Sequence, residues 1–275
     1  MKIHSYRRRW FPWGIALFFI LSNNYVAYGQ GYELKTGREV ALLSAGAAGT
    51  ATSILLRERR QPFSLKEVDE FDINDIFALD RLSKGDYRER AKTTSDILVG
   101  ASFALPLTFL AFDNTRADLS TLGLILLETI TINEALTGIT KALVKRPRPY
   151  TYNREAPETV RTMRGNNFSF FSGHTSYAAA LSFFTAKTIS DYVDNSGTRT
   201  LAWTGAFILP AATGYLRYRA GKHFPTDVIT GYIVGASLGY LLPQLHKADN
   251  SSESSQSTAG QMPVIQPLFQ ITFVL

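Results

Sequence analysis

From Gln30 onward the chain is dominated by six long, near-continuous apolar segments, at about 38–57, 93–113, 118–142, 174–192, 199–217 and 226–243. Such runs are too long for ordinary strands, and their richness in Ala, Gly, Leu and Ile suits helices whose backbones approach closely. The pattern predicts an all-α fold: a bundle of about six core helices, partly or fully embedded in a membrane. With 275 residues, 45% of them hydrophobic, the chain can bury a substantial core, and its length favours one domain with tails.

Charge makes the spans harder to count. Mean hydropathy is −0.04, low for a polytopic protein. The third segment carries Glu128, Asn133 and Glu134, and the fourth carries Lys187. Segments 93–113 and 226–243 approach the ~20 apolar residues that a span requires, and 38–57 is nearly as long. Ahead of them, Lys2 and Arg7–Arg9, the apolar run Trp10–Leu21 and the small residues Ala27 and Gly29 have the three-part form of an export signal; an uncleaved anchor helix is the alternative.

Four regions follow: 1–29 a signal peptide, 30–92 an N-terminal helix and surface connector, 93–243 the helical core, and 244–275 a Ser-rich linker with a C-terminal strand. In the connector, Ser64 and Glu67 have capping-box spacing, and Phe71, Ile73, Ile76 and Leu79 could line one face of a surface helix. At the other end Phe269, Ile271, Phe273 and Leu275 alternate with Gln270 and Thr272, as in a short edge strand pairing with a segment such as that near Tyr32. The absence of cysteine excludes disulfides, thiolate metal sites and cysteine nucleophiles. The net charge of +6 gathers at the N-terminus and around two histidines, which argues for an anion site and against a nucleic-acid surface.

Three ordered clusters carry the chemistry. Lys141 stands at the end of an apolar helix, and Arg148 is held extended between Pro147 and Pro149, so that two cations converge; a membrane-flanking basic run is the alternative. Ser172-Gly173-His174 opens a helix whose first-turn N–H groups form an anion cradle, with helix capping as the plainer role for His174. Arg217, His223 and Asp227 form the third cluster. His and Asp four apart can face each other, and a carboxylate bonded to one ring nitrogen raises the basicity of the other, which makes a nucleophile; a helix-capping Asp is the alternative.

Together these clusters resemble the three-part signature of the type-2 phosphatidic acid phosphatase and vanadium haloperoxidase superfamily: Lys, six residues, Arg-Pro; Pro-Ser-Gly-His; Ser-Arg, five residues, His, three residues, Asp. Phe171 stands where the signature has proline and Leu216 where it has serine, and neither position supplies the main charge or proton chemistry. The resemblance covers about residues 90–243. It implies that His223 attacks phosphorus to give a phosphohistidine, that Asp227 orients it, and that His174 protonates the leaving oxygen and later activates water. Lys141, Arg148, Arg217 and the backbone N–H groups around Ser172 and Gly173 would hold the phosphate oxygens. Arg161 and Arg164, in the loop before the second cluster, are candidates to engage a further phosphate or headgroup, with surface solvation as the plainer reading.

The expected function is hydrolysis of a lipid phosphate monoester or diphosphate at a membrane, without a cofactor or metal, since no His-rich or carboxylate-rich metal spacing is present. The partners are a lipid phosphate and the membrane, with no nucleic acid. The alternatives are a broad-specificity periplasmic acid phosphatase, a vanadate-dependent haloperoxidase and an inactive membrane scaffold. The expected location is exported and membrane-associated, with a periplasm-facing site. If Gln30 lies outside, that site requires one or three of the first three segments not to span, and the polar third is the easiest to demote. Arg57, Arg59 and Arg60 fit a cytoplasmic loop after the first.

Overall fold

The computed structural model describes residues 31–83 and 87–248; the export signal read at 1–29 and the strand read at 268–275 lie outside them. Among the described residues the α-helices are α1 (Thr36–Glu58), α2 (Leu65–Asp69), α3 (Glu89–Ala104), α4 (Asp113–Ala117), α5 (Leu119–Val144), α6 (Glu158–Arg161), α7 (Gly173–Tyr192), α8 (Ser196–Arg219) and α9 (Pro225–Leu245). The six apolar segments correspond to α1, α3, α5, α7, α8 and α9. No strand is present among the described residues, where the only extended pairing is a single antiparallel bridge between Tyr32 and Lys247.

Local chemistry sets the helix ends. Pro106 lacks the N–H that an α-helix needs, so after Ala104 the chain tightens into a 3-10 stretch, Leu105–Ala111. α5 stops where Lys145 takes a left-handed conformation (φ 51°), and Pro147 prevents the helix from resuming. Asn195 caps α8 by accepting from Thr198 N at 2.8 Å, and Pro225 opens α9.

The connector corrects the expected surface helix through Phe71, Ile73, Ile76 and Leu79. Its capping box is present at Ser64 and Glu67, but the helix ends at Asp69. The Asp72 carboxylate accepts from Asn74 N at 2.9 Å and turns the chain into short 3-10 pieces, Ile73–Asp75 and Asp80–Leu82. Phe71 packs on Phe63 and Tyr152 at ring separations of 5.2 and 5.4 Å.

α7 lies at the centre, packed against α9 and α8, while α1 packs along α5 and α3 crosses α7 and α8. Nearly every side chain of α7 is buried. The α7–α9 contact is backbone to backbone: a Cβ added at Gly235 would lie 2.1 Å from Ser176 O, and one at Gly239 2.2 Å from Ala180 O. Large apolar side chains face outward instead, among them Ile54 and Leu55 on α1, Phe207 and Ile208 on α8, and Ile233 and Leu241 on α9.

Four helical stretches, 36–58, 89–111, 119–151 and 225–245, are long and apolar enough to cross a membrane. The third is among them, against the expectation that its polar residues make it the easiest to demote. Those residues turn inward: Asn133 accepts from Ser176 Oγ at 2.5 Å, and Glu134 pairs with Arg57 at 2.5 Å and accepts from Tyr177 OH at 2.9 Å. Polar groups turned into the bundle do not weaken its outer apolar surface.

Candidate active site

The ends of α5, α8 and α9 and the start of α7 bring the three clusters together. Lys141, in the last turn of α5, is buried and donates from Nζ to Phe171 O at 2.7 Å, directly beneath the start of α7. Gly173 packs closely on α5, since a Cβ there would lie 3.1 Å from Thr137 Cγ2. Arg148 is extended (φ −81°, ψ 152°), as its flanking prolines predict, and is tethered through Nε to Gly165 O (2.9 Å) and through Nη1 to Lys222 O (3.0 Å).

The helix-start cradle is narrower than expected. Ser172 N donates to Asp227 O at 3.0 Å, and Ser172 Oγ caps α7 at Thr175 N (3.4 Å) and pairs with Thr175 Oγ1 (2.8 Å). Ser172 thus shapes the cradle, and the N–H groups of Gly173 and His174 are the first-turn donors left for an anion.

His223 is 1% exposed, and its Nδ1 pairs with Ser169 O at 2.7 Å. A backbone carbonyl only accepts, so Nδ1 carries the proton and Nε2 keeps its lone pair. Among the described residues no hydrogen-bond partner meets Nε2. This corrects the direct His223–Asp227 bond expected from the four-residue spacing: Asp227 Oδ2 stands 3.7 Å from Nδ1. The carboxylate is instead fully engaged. Its Oδ2 accepts from Ser169 Oγ (2.5 Å) and Phe224 N (2.8 Å), and its Oδ1 accepts from Arg146 (2.6 Å). Arg146 in turn pairs with buried Asp80 (2.5 Å), which also accepts from Thr226 N (3.0 Å) and Oγ1 (2.7 Å). Asp227 therefore both caps α9 and, through Ser169, fixes the carbonyl that orients His223.

Burial, and then the positive charges of Arg148, Lys141 and Arg217, hold the His223 imidazole well below its ordinary pKa, so the ring is neutral near pH 7. His174 is pushed down to about 4, by burial first and then by Arg217. Its Nε2 contacts Asp96 Oδ1 at 2.9 Å, and the same oxygen accepts from Arg217 Nη1 at 3.1 Å. Arg217 Nε is buried and has no partner among the described residues, a donor left for a ligand oxygen.

His174, Asp96, Arg148 and Arg217 line a cavity of about 290 Å³ whose wall also holds Lys92, Arg164, Lys222, Tyr150 and Met163, while His223 and Lys141 stand behind that wall and are not among its lining residues. Lys222 stands over the rings of Tyr87 and Tyr150, at 4.7 and 4.9 Å, and its ammonium is lowered to about 7 by burial and then by Arg148 and Arg217. Sequence reasoning missed Asp96, Ser169, Arg146, Asp80 and Lys222; of these Arg146, between Lys141 and Arg148, and Lys222, beside His223, had a local signal. Arg161 is neither on the surface nor in the cavity. It is buried, bonded to Asp69 (2.7 Å) and Val68 O (3.0 Å), and it anchors α6 to α2.

A family model described as the PAP2 superfamily matches residues 122–251. The chain is similar to a lipid A 4'-phosphatase of Porphyromonas gingivalis, with 27% identity over 135 residues, 48% of this chain. The match spans about half of that relative, 53% of its length. Among solved structures, a transmembrane PAP2 type phosphatidylglycerolphosphate phosphatase from Bacillus subtilis aligns with a TM-score of 0.43 and 21% identity, over 78% of this chain and 95% of that one.

Proposed function

We propose that the chain, whose residues 122–251 match the PAP2 superfamily, hydrolyses a lipid phosphate, monoester or diphosphate, through a phosphohistidine on His223. The observation that carries this reading is a neutral, backbone-anchored His223 with an unpartnered Nε2, set among Lys141, Arg148 and Arg217.

In this reading Nε2 attacks phosphorus, the bond to the lipid oxygen breaks, and that oxygen takes a proton from His174. His174 then accepts a proton from water, whose oxygen attacks the phosphohistidine, releasing phosphate and restoring His223. Lys141, Arg148, Arg217 and the N–H groups of Gly173 and His174 neutralise the equatorial oxygens, so the transfer proceeds without a metal. Asp227 and the Ser169 carbonyl stabilise the imidazolium form that develops on His223. Burial and Arg217 keep His174 neutral at pH 7; a phosphate dianion beside it favours its charged form and so charges the acid.

The lipid A 4'-phosphatase relative makes a phosphorylated glycolipid a primary substrate candidate. The deciding experiment measures phosphate release from a panel: lipid A bearing a 4'-phosphate, phosphatidic acid, phosphatidylglycerolphosphate, a polyprenyl diphosphate and a soluble aryl phosphate. Wild type should prefer a lipid substrate, and His223→Ala should release none; normal turnover by His223→Ala sinks the mechanism. An aryl phosphate used as well as any lipid would favour a broad-specificity phosphatase.

The proposal places the site on the periplasmic face. α1 and α5 run parallel, from the end where Glu39 meets Glu128 to the end where Arg60 bonds Ala142 O beside the site, so a periplasmic site requires α1 to begin on the cytoplasmic side. Because the chain has no cysteine, Glu158→Cys can report the side directly. Labelling by a membrane-impermeant maleimide in intact cells is the expected result, and protection until lysis would put the site inside.

A further inference from the structure

A second cluster of ionisable groups lies at the other end of the bundle, independent of the phosphatase reading. α9 begins beside Asp227 and ends at His246, and its 21 residues separate the two ends by roughly 30 Å. At the far end three side chains from three helices converge: Glu39 on α1, Glu128 on α5 and His246 after α9. All three are buried, and one ligand atom from each lies within 4.8 Å of the others.

We propose that Glu39, Glu128 and His246 bind one divalent transition-metal ion of the zinc type, which ties α1, α5 and α9 together. The donor chemistry fits. His246 Nδ1 pairs with Leu242 O at 2.7 Å, which places the proton on Nδ1 and turns the Nε2 lone pair toward the two carboxylates, Glu39 Oε2 at 2.8 Å and Glu128 Oε2 at 3.2 Å. A ring anchored through its other nitrogen to a carbonyl is the outer-shell arrangement of metal-bound histidines. Glu39 is likewise supported, its Oε1 accepting from Lys35 N (2.7 Å) and Arg38 (2.8 Å), which leaves Oε2 for the ion.

Glu128 supplies the independent sign of a missing partner. It is completely buried, and neither of its carboxylate oxygens has a hydrogen bond. A proton on His246 Nε2 would serve Glu39, the nearer carboxylate, and leave Glu128 neutralised only if it carried a proton of its own. A bare buried carboxylate is costly, whereas a cation among the three donors serves both. The spacing is also right: a tetrahedral ion with bonds of about 2.0–2.2 Å needs donors roughly 3.3–3.6 Å apart, so the observed 2.8 and 3.2 Å require only a small outward shift. One imidazole with two carboxylates suits zinc, manganese or ferrous iron better than magnesium.

The test uses the full chain in detergent, without an affinity tag, stripped with chelator and titrated with Zn(II) and Co(II). One ion per chain is expected, with a visible Co(II) spectrum of low coordination number. At about a hundredfold excess over Kd, Zn(II) should raise Tm by roughly 5–10 °C. Glu128→Gln, close to isosteric, should weaken binding at least about 100-fold. If stripped wild type binds neither ion and its Tm ignores both metal and chelator, the proposal is overturned, with a protonated His246 shared between the carboxylates in its place. Undiminished binding in both folded Glu128→Gln and His246→Gln would also overturn it, by placing the ion elsewhere.

Discussion

His223 and His246 are anchored alike and surrounded by opposite charges. Each ring is buried, 1% and 0% exposed, and each Nδ1 pairs with a backbone carbonyl at 2.7 Å. Around His223 stand Lys141, Arg148 and Arg217, which together with burial keep the ring neutral. Around His246 stand Glu39 and Glu128; burial alone would lower its pKa, but the carboxylates outweigh burial and raise it. Anchoring fixes which nitrogen is free, and the surrounding charge decides what that nitrogen takes: an electrophilic phosphorus among cations, or a cation among carboxylates.

The largest effect should come from deleting each ring in turn. His223→Ala is expected to lower phosphate release by at least about 10⁴-fold, the scale seen when a nucleophile is removed, while its Tm response to Zn(II) stays intact. His246→Ala should lose that Tm response but keep turnover within about threefold when assayed well below its Tm. If folded His246→Ala is inactive, the two ends are coupled and the contrast fails.

Next in size is His174→Ala, expected to slow hydrolysis of a lipid substrate by roughly 10²–10⁴-fold through loss of the general acid. With p-nitrophenyl phosphate, whose leaving group departs without a proton, formation of the phosphoenzyme should suffer far less. Equal losses on both substrates, read by rapid-quench kinetics, would move His174 from proton transfer to phosphate binding.

Asp96 gives a smaller, two-sided effect. Its carboxylate occupies the His174–Arg217 pair that an anion would use, and it also raises the pKa of His174 against burial. Asp96→Asn should therefore tighten inhibition by inorganic phosphate about tenfold. It should also move the alkaline limb of the kcat profile, where the acid loses its proton, to lower pH. Asp96→Glu should restore the limb; an unmoved limb would leave Asp96 with a structural part only.

How much of this is legible in the sequence follows from what each residue interacts with. The six long helices show in their apolar runs because a helix buries or exposes whole faces. Lys141, Arg148, His174, Arg217, His223 and Asp227 show because they are side-chain chemistry at fixed spacing. Asp96 does not: four residues after Lys92 it reads as a surface ion pair, and its partner Arg217 is 121 positions away. The acceptor for His223 is a backbone carbonyl, which any residue at 169 would supply, so no sequence pattern could distinguish it from Asp227. Glu39, Glu128 and His246 are separated by 89 and 118 positions, and only the packing of α1, α5 and α9 creates their cluster.

Lys222 provides the smallest test, and its sign is set by charge. Its ammonium lies in the cavity wall with a pKa of about 7, so it is charged below that pH and neutral above it. The charged form attracts phosphate, and kcat/KM reports ionisations of the free enzyme. As pH rises through about 7, kcat/KM should therefore fall by a few-fold beyond the change due to the substrate's own ionisation. Lys222→Arg stays protonated throughout and should abolish that step. The ratio of wild type to Lys222→Arg, measured at each pH on one substrate, cancels the substrate's ionisation. A flat ratio would show that Lys222 serves its contacts with Tyr87 and Tyr150 and leaves anion binding to Arg148 and Arg217.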